Sequence, residues 1–558
     1  MIYGVRKMRV ALLSNITVDL LASMVQKTND VYLSAGFDTW QQEMIMPASG
    51  LYEYKPEAIV VLLHANAYAD VWDDKRNGEQ IIDEWCEAVQ TVCSNIPGIP
   101  IFISSIDVSN VKVRYGAEKR LDQYFENYMN EKIGNLHASG CNIYVLPVKD
   151  IISDLGRNNF YTAKMWYIGS MPYSMKGLSA LNDLITRYIG AIKGMNKKCL
   201  AIDLDNTLWG GVIGENGING IVLDNNREGA RYKDAQRILK KMKSQGVMLA
   251  ILSKNNVEDV EPVFSHPDMV LQHEDFVAEA INWEPKSMNI RKLAIELNIG
   301  LESFVFLDDN PAEREQMKAE CPEVAVVEFP KDTSFLPDTI VKVYDEYFLS
   351  LEVTSEDAKK TVMYRAEARR NAEMFAATSA EDFLGKLEMK MDIHLMRPEE
   401  EKRVTQLTNK TNQFNVTTKR YSEEEIHKLT ESGDVITVHM ADRYGDQGLV
   451  AVLILKYEGD VAEIDTFLMS CRVMGRKAED EIMARIRGYL ETKGVRMVKA
   501  SYIKTPKNRP VLELFDKFGF ARTSGEIREN GDMKNYIASI DVLPISTGIF
   551  KNVVEEWS

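Results

Sequence analysis

The chain has 558 residues, a net charge of −16 and a pI near 5.2. Its 45% apolar and 27% charged residues make an ordinary globular balance, and at roughly 100–200 residues per domain the length calls for several domains. The acidic balance argues against nucleic acid as the main partner. No apolar run approaches the roughly 20 residues of a membrane span, and the start, MIYGVRKMRVALLSN, lacks the long apolar core of a signal peptide.

The six cysteines, Cys86, Cys93, Cys141, Cys199, Cys321 and Cys471, form no CxxC pair. That argues against a cysteine-built zinc site and fits a reducing cytoplasm.

Residues 1–192 alternate strand and helix patterns. Apolar runs at Val10–Leu13, Ile59–Leu63, Ile99–Ile103 and Ile143–Leu146 predict a parallel α/β layer. The stretch Gly190–Lys198 is a plausible boundary. Residues 193–350 repeat the order with strands at Leu200–Ile202, Met248–Leu252 and Phe304–Leu307. Between the first two, Tyr232, Ala235, Ile238, Leu239 and Met242 fall on one helical face. Residues 354–378 read as a charged connector helix. Residues 379–558 change to an α+β pattern with an antiparallel sheet, including Val435–His439, Leu449–Leu455 and Ala462–Leu468.

The chemistry concentrates in CLAIDLDNTLWGGVIGE, from Cys199 to Glu215. An apolar strand ends in Asp203 and Asp205, two apart and so on one side, where open α/β sheets bind ligands. Two carboxylates that close repel unless a cation lies between them, and hard oxygens suit Mg²⁺. Further strand ends supply Ser253 in AILSKNN and Asp308 and Asp309 in FVFLDDNPAER, while NWEPKSMNI supplies Lys286. A carboxylate nucleophile, cation ligands, hydroxyls and a lysine are what phosphoryl transfer to aspartate needs.

In order and spacing, these residues resemble the haloacid dehalogenase-like phosphatases. The resemblance implies Asp203 as nucleophile and Asp205 as general acid/base. It implies Thr207 and Ser253 as phosphate ligands and Lys286 as the neutralising charge. Mg²⁺ would be held at Asp203, Asp205 (through its backbone carbonyl) and one of Asp308 and Asp309. The 32 residues between Ser253 and Lys286 and the short Gly-rich flap after Thr207 leave room only for a minimal cap.

Two later segments, CRVMGRKAEDEIM and NRPVLELFDKFGF, resemble the GNAT acyltransferase fold. They imply CoA or phosphopantetheine contacts at Arg472, Gly475 and Asn508. Lys477 departs from the family's pyrophosphate loop. From Arg485 to Arg509 there are eight basic residues and one acid, Glu491, a candidate docking face for an acidic carrier protein. The first domain is similar to the SGNH hydrolases, with Ser14 at the nucleophile position; the surrounding Gly-Asp and the DxxH are absent, which implies a degenerate domain.

End to end, the motifs SNIT, KCLAIDLDNTLWGGVIGE, LSKNN, FLDDNPAERE, LTNKTNQFN, RYGDQGLV and DTFLMSCRVMGR resemble the FkbH-like proteins. The implied architecture is multidomain α/β. It comprises an SGNH-like domain (1–192), a Rossmann-like HAD domain with a minimal cap (193–350), and a linker helix with a GNAT-like α+β domain (351–558). The implied activity is dephosphorylation of 1,3-bisphosphoglycerate with transfer of the glyceryl group to an acyl carrier protein, with Cys199 or Cys471 as a thioester relay. A plain HAD phosphatase and a non-catalytic carrier-binding scaffold are the alternatives.

Overall fold

The computed structural model describes residues 7–108, 121–352, 361, 363–366, 370, 380–523 and 533–557. The chain divides into two compact units: Met1–Lys193 with Tyr421–Glu425, and Gly194–Arg420 with Ile426–Ser558.

The first unit is built on a five-stranded parallel sheet. Its strands are β1 (Arg9–Ser14), β2 (Asp30–Leu33), β3 (Ala58–Leu62), β4 (Ile101–Ser104) and β5 (Ile143–Leu146), in the order β2-β1-β3-β4-β5. The run Val10–Leu13 and all of β3 are at most 1% exposed, as strands covered on both faces must be. The short edge strand β2 carries no long apolar run, and the sequence pattern missed it.

The second unit contains two sheets. One is parallel, with β6 (Cys199–Ile202), β7 (Met248–Ser253), β8 (Phe276–Ile281), β9 (Phe304–Leu307) and β10 (Ala325–Val326) in the order β10-β9-β6-β7-β8. Strand β6 is central and wholly buried; each of Leu200 and Ile202 contributes about 1.5–3 kcal/mol by leaving water. The helix Arg227–Ser244 buries Tyr232, Ala235, Leu239 and Met242, the face its periodicity predicts, and also the polar Gln236.

The other sheet has β11 (Lys390–Leu395), β12 (Phe414–Asn415), β13 (Gly433–Asp442), β14 (Gly445–Glu458), β15 (Val461–Met469), β16 (Met497–Ile503), β17 (Ala521–Thr523), β18 (Met533–Ser539) and β19 (Asn552–Glu556). The order is β17-β18-β16-β15-β14-β13-β11-β19, mostly antiparallel. Strands β15 and β16 run parallel but pair only from Val461 to Ile464. Beyond that point β12 pairs with β15. The Val416 amide donates to Phe467 O (3.1 Å), and its carbonyl accepts from Ile503 N (2.8 Å). The segment closes the gap and satisfies backbone groups that would otherwise be stranded.

NRPVLELFDKFGF is not one helix. It forms a 3₁₀ turn, Arg509–Val511, and a single helical turn, Leu514–Lys517, with Pro510 in the first turn, where its missing amide leaves no helical bond unmade. Most of the expected connector helix lies outside the described residues. Its described residue Arg370 is 2% exposed and forms a bidentate pair with buried Asp442, at 2.5 and 2.8 Å. Breaking a buried pair strands the remaining charge. Arg370→Met is expected to cost about 3 kcal/mol, read as a lower urea midpoint; an unchanged midpoint would show that Arg476 (3.4 Å), Gln447 Nε2 and the Tyr444 amide (both 2.9 Å) hold Asp442 without it.

Candidate active site

The carboxyl ends of β6, β7 and β9 meet at one point. Asp203 follows β6, with its amide donating to Leu307 O of β9 (3.0 Å). Ser253 ends β7, and Asp308 and Asp309 follow β9. Lys286 opens the helix Lys286–Glu296 immediately after Pro285. A cation there opposes the helix dipole, so the position is unfavourable without carboxylates in front of it. Two are present. The Lys286 ammonium lies 3.0 Å from Asp203 Oδ1 and 2.5 Å from Asp308 Oδ2.

All three groups are buried: Lys286 is 4%, Asp203 6% and Asp308 0% exposed. Oxygens of Asp203, Asp308 and Asp309 lie within 4.8 Å of one another. Three carboxylates against one ammonium leave an excess of buried negative charge. Burial, and then the Asp203 charge, pushes Asp308 and Asp309 up to about 6. Lys286 is raised because Asp203 and Asp308 outweigh the effect of burial, which acts in the opposite direction.

The buried Thr207 Oγ1 lacks a hydrogen-bond partner among the described residues, and Asp203 Oδ1 has only the Lys286 ammonium, 3.0 Å away. Unsatisfied buried oxygens are rare. The carboxylate trio of Asp203, Asp308 and Asp309 is a hard, anionic donor set. That set fits Mg²⁺, and the Thr207 hydroxyl, with Lys286, fits a phosphoryl oxygen.

Asp205 plays a different part. Its Oδ1 accepts from Trp209 Nε1 (2.9 Å) and the Ile213 amide (3.0 Å), and its Oδ2 from Asn255 Nδ2 (3.0 Å). Its side chain therefore stands outside the carboxylate trio, which leaves only its backbone carbonyl for a cation. Burial raises its pKa against those three donors. Trp209 and Asn255 were not singled out in the sequence; the second asparagine-rich position after β7, in LSKNN, was the available signal. Asn255 also bonds Ser253 Oγ (3.2 Å).

The flap after Thr207 is fixed by Gln236, which donates to Leu208 O (2.7 Å) and accepts from Val270 and Leu271 amides. Gly211, at φ 92°, turns the flap where an L side chain would be strained.

The other expected site residues lie elsewhere. Cys199 begins β6, fully buried, and burial drives its thiol far above the ordinary range. Four residues of strand place it about 13 Å before Asp203. The Cys471 carbonyl accepts from Asn298 Nδ2 (2.9 Å), beyond the far end of the helix that Lys286 opens. Eleven helical residues span about 16 Å, so neither cysteine adjoins the phosphate end.

Arg472 is buried against Ser470 Oγ (3.1 Å) and Met363 Sδ (2.7 Å). Asn508 spends its amide on Asn415 O, Ile503 O, Thr505 N and Tyr502 Oη. Both are structural ties rather than free ligands for a cofactor. Gly475 takes φ 77° and Lys477 φ 57°, a turn into the helix Ala478–Thr492. In the basic stretch, Arg485 pairs with Glu481 and Glu555, Arg487 with Glu491, and Lys493 with Asp434, so three of the eight expected docking charges are already shared. Ser14 in the first unit donates to Leu62 O (2.6 Å), and among the described residues no imidazole bonds it. No helix among the described residues is long and apolar enough to cross a membrane.

No family model matches the chain, and no curated protein matches it. Among solved structures it is similar to the N-terminal part of BF1531 from Bacteroides fragilis, which contains a phosphatase domain and is complexed with Mg. The identity is 27% and the TM-score 0.57, over 62% of this chain and 95% of that one. Over 28% of its length the chain is also similar to the ribosomal-protein-S18-alanine N-acetyltransferase of Escherichia coli, and over 27% to the spermidine N-acetyltransferase of Vibrio cholerae. These matches have identities of 14% and 15% and TM-scores of 0.21 and 0.22, and cover 96% of each of those chains.

A divalent cation on Asp203 and one of Asp308 and Asp309 requires that ligand ionised, so its binding expels protons below about pH 6. Mg²⁺ affinity is expected to fall as pH drops through that value, measured by calorimetry at about pH 5 and about pH 7. In cation-free protein the sign reverses. A raised carboxylate contributes stability below its unfolded pKa and loses it as pH rises through about 6. Affinity independent of pH would contradict both.

Proposed function

We propose that the protein is a Mg²⁺-dependent phosphoryl-transfer enzyme of the haloacid dehalogenase-like type. The observation that carries this reading is the buried trio Asp203, Asp308 and Asp309 at the strand ends, with the Lys286 ammonium 3.0 Å from Asp203 and 2.5 Å from Asp308. The Mg-bound phosphatase-domain structure from Bacteroides fragilis supports it.

In this reading an Asp203 oxygen attacks phosphorus as the bond to the leaving oxygen breaks. Asp205, its pKa raised by burial, gives that oxygen its proton. Water then attacks the phosphoaspartate, Asp205 takes the proton back, and phosphate leaves. Thr207, Ser253 and Lys286 hold the phosphoryl oxygens. Mg²⁺, when bound by Asp203, Asp308 or Asp309 and the Asp205 carbonyl, supplies further neutralisation of charge.

The finer proposal is the FkbH-type reaction on 1,3-bisphosphoglycerate, supported by the motifs from SNIT to DTFLMSCRVMGR. There a carrier phosphopantetheine thiol attacks the acyl carbon and the carbon–oxygen bond to the C1 phosphate breaks, giving a 3-phosphoglyceryl thioester and phosphate; hydrolysis of the remaining C3 phosphoester through Asp203 then leaves the glyceryl thioester and a second phosphate. The positions of Cys199 and Cys471 support direct transfer to an external thiol rather than a cysteine relay. Those positions, with Arg472 and Asn508 structurally committed, equally favour a plain phosphatase as second reading.

Incubation with 1,3-bisphosphoglycerate, Mg²⁺ and a carrier protein, followed by intact mass, separates them. A glyceryl adduct on the carrier supports transfer; phosphate release alone supports hydrolysis. Asp203→Asn is expected to abolish hydrolysis, and Lys286→Met to lower kcat by about 10²–10³-fold. Cys199→Ser is expected to leave turnover unchanged. Full phosphatase activity in Asp203→Asn would sink the nucleophile assignment.

A further inference from the structure

A second cluster of metal-binding side chains lies on the third sheet. Strands β11 and β13 pair antiparallel with Asp392 opposite His439 and His394 opposite Thr437. Residues two apart share a face, so Asp392, His394, Thr437 and His439 project together. Glu400, in the 3₁₀ turn Pro398–Glu400 that follows β11, lies over them. His394 Nε2 lies 3.2 Å from both Glu400 oxygens, and His439 Nε2 lies 2.6 Å from Oε1. The two imidazoles stack with centroids 5.5 Å apart.

Glu400 Oε2 is already held by Thr437 Oγ1 (3.0 Å) and the Arg397 amide (2.9 Å). That leaves Oε1 facing the two ring nitrogens. On the other side of His394, Nδ1 lies 3.5 Å from Asp392 Oδ1, and neither atom has a hydrogen-bond partner among the described residues.

His394 is 1% exposed and sits between two carboxylates. Either neutral tautomer aims one nitrogen lone pair at carboxylate oxygen. With the proton on Nε2, bare Nδ1 faces Asp392; with the proton on Nδ1, bare Nε2 faces Glu400. A cation on Nε2 relieves both at once. It takes the lone pair, and Nδ1–H turns to Asp392 as the outer carboxylate that ligating histidines commonly have.

The surrounding charge agrees. Glu400, Asp392 and Glu556 face one guanidinium, that of Arg397, which bonds Glu556 at 2.8 Å and lies 4.0 Å from Asp392. With neutral imidazoles the excess is two negative charges, the complement of a divalent ion.

We infer that His394 Nε2, His439 Nε2 and Glu400 Oε1 form a second metal site, for a divalent cation of the zinc class. Two imidazoles and a carboxylate suit zinc and not Mg²⁺. Ligand atoms about 2.0–2.1 Å from one ion lie roughly 3–3.5 Å from each other; the His394–Glu400 contact already has that length, the shorter His439–Glu400 contact must lengthen, and all three ligand atoms lie within 4.8 Å of one another. The His439 side chain is 33% exposed, which leaves a coordination position open toward solvent, as in sites that bind water or substrate.

The test uses the full chain, stripped with chelator, loaded with Zn²⁺ in the presence of excess Mg²⁺ and desalted. The expected result is about one zinc per chain, unaffected by Asp203→Asn and lost in His439→Gln. Zinc K-edge absorption of the wild type, which requires no variant to fold, is expected to read imidazole nitrogens in the first shell. No retained zinc, zinc lost in Asp203→Asn, or a shell of oxygens alone would overturn the site and leave a hydrogen-bonded His–Glu–His cluster. None of these outcomes depends on whether the protein is a phosphatase.

Discussion

The second unit is organised around one electrostatic constraint: Asp203, Asp308 and Lys286 are all buried at the carboxyl end of a parallel sheet, with Asp309 beside them. An ammonium between two carboxylates 3.0 and 2.5 Å away offsets part of a desolvation cost of several kcal/mol per ion. It does not offset all of it, and the upward shift of Asp308 and Asp309 reports the remainder. A fold tolerates such an arrangement when a ligand completes it, and catalytic sites are where such perturbation collects. The wholly apolar strands β6 and β9 supply the rigidity that holds the charges in register.

The same constraint explains what could be read in the sequence. Asp203, Asp308 and Asp309 each follow a short apolar run, and Ser253 ends one, so the parallel-sheet rule placed them together before any coordinates. Lys286 carried no such marker beyond its spacing. The supports were harder to see. Trp209 and Asn255 fix Asp205 through single hydrogen bonds, and Gln236 acts from the middle of a helix read only for its apolar face. Polar residues that serve a site indirectly leave no periodic signal.

The third sheet was less legible, for a topological reason. The pairing of β12 with β15 joins Phe414 to Met469, across a separation no local pattern encodes. Strand edges were recovered near Val435, Leu449 and Ala462, because those runs are apolar. The block LTNKTNQFN gave no hint that it would close a gap in the sheet. The histidine–glutamate cluster was invisible for the same reason: His394 and His439 meet only through antiparallel register, and the sequence signal was merely that two of the chain's seven histidines fall in β-rich runs. Cysteine spacing, which argued against zinc, says nothing about a site built from imidazole.

The placement of the thiols bears on how any acyl chemistry would proceed. Cys199 lies about 13 Å down the central strand from Asp203, inside a core that keeps its thiol protonated. Cys471 is tied through its carbonyl to Asn298, beyond a helix about 16 Å long whose opposite end carries Lys286. Covalent relays work by proximity; a nucleophile must sit about 3–3.5 Å from the reacting atom. Moving Cys471 across that distance would mean giving up the ties around it, including the buried Arg472 beside Met363 and Ser470. A thiol on a long flexible arm from another protein meets no such cost. In any acyl transfer, the geometry therefore favours carriage on an external thiol over either of the chain's own cysteines.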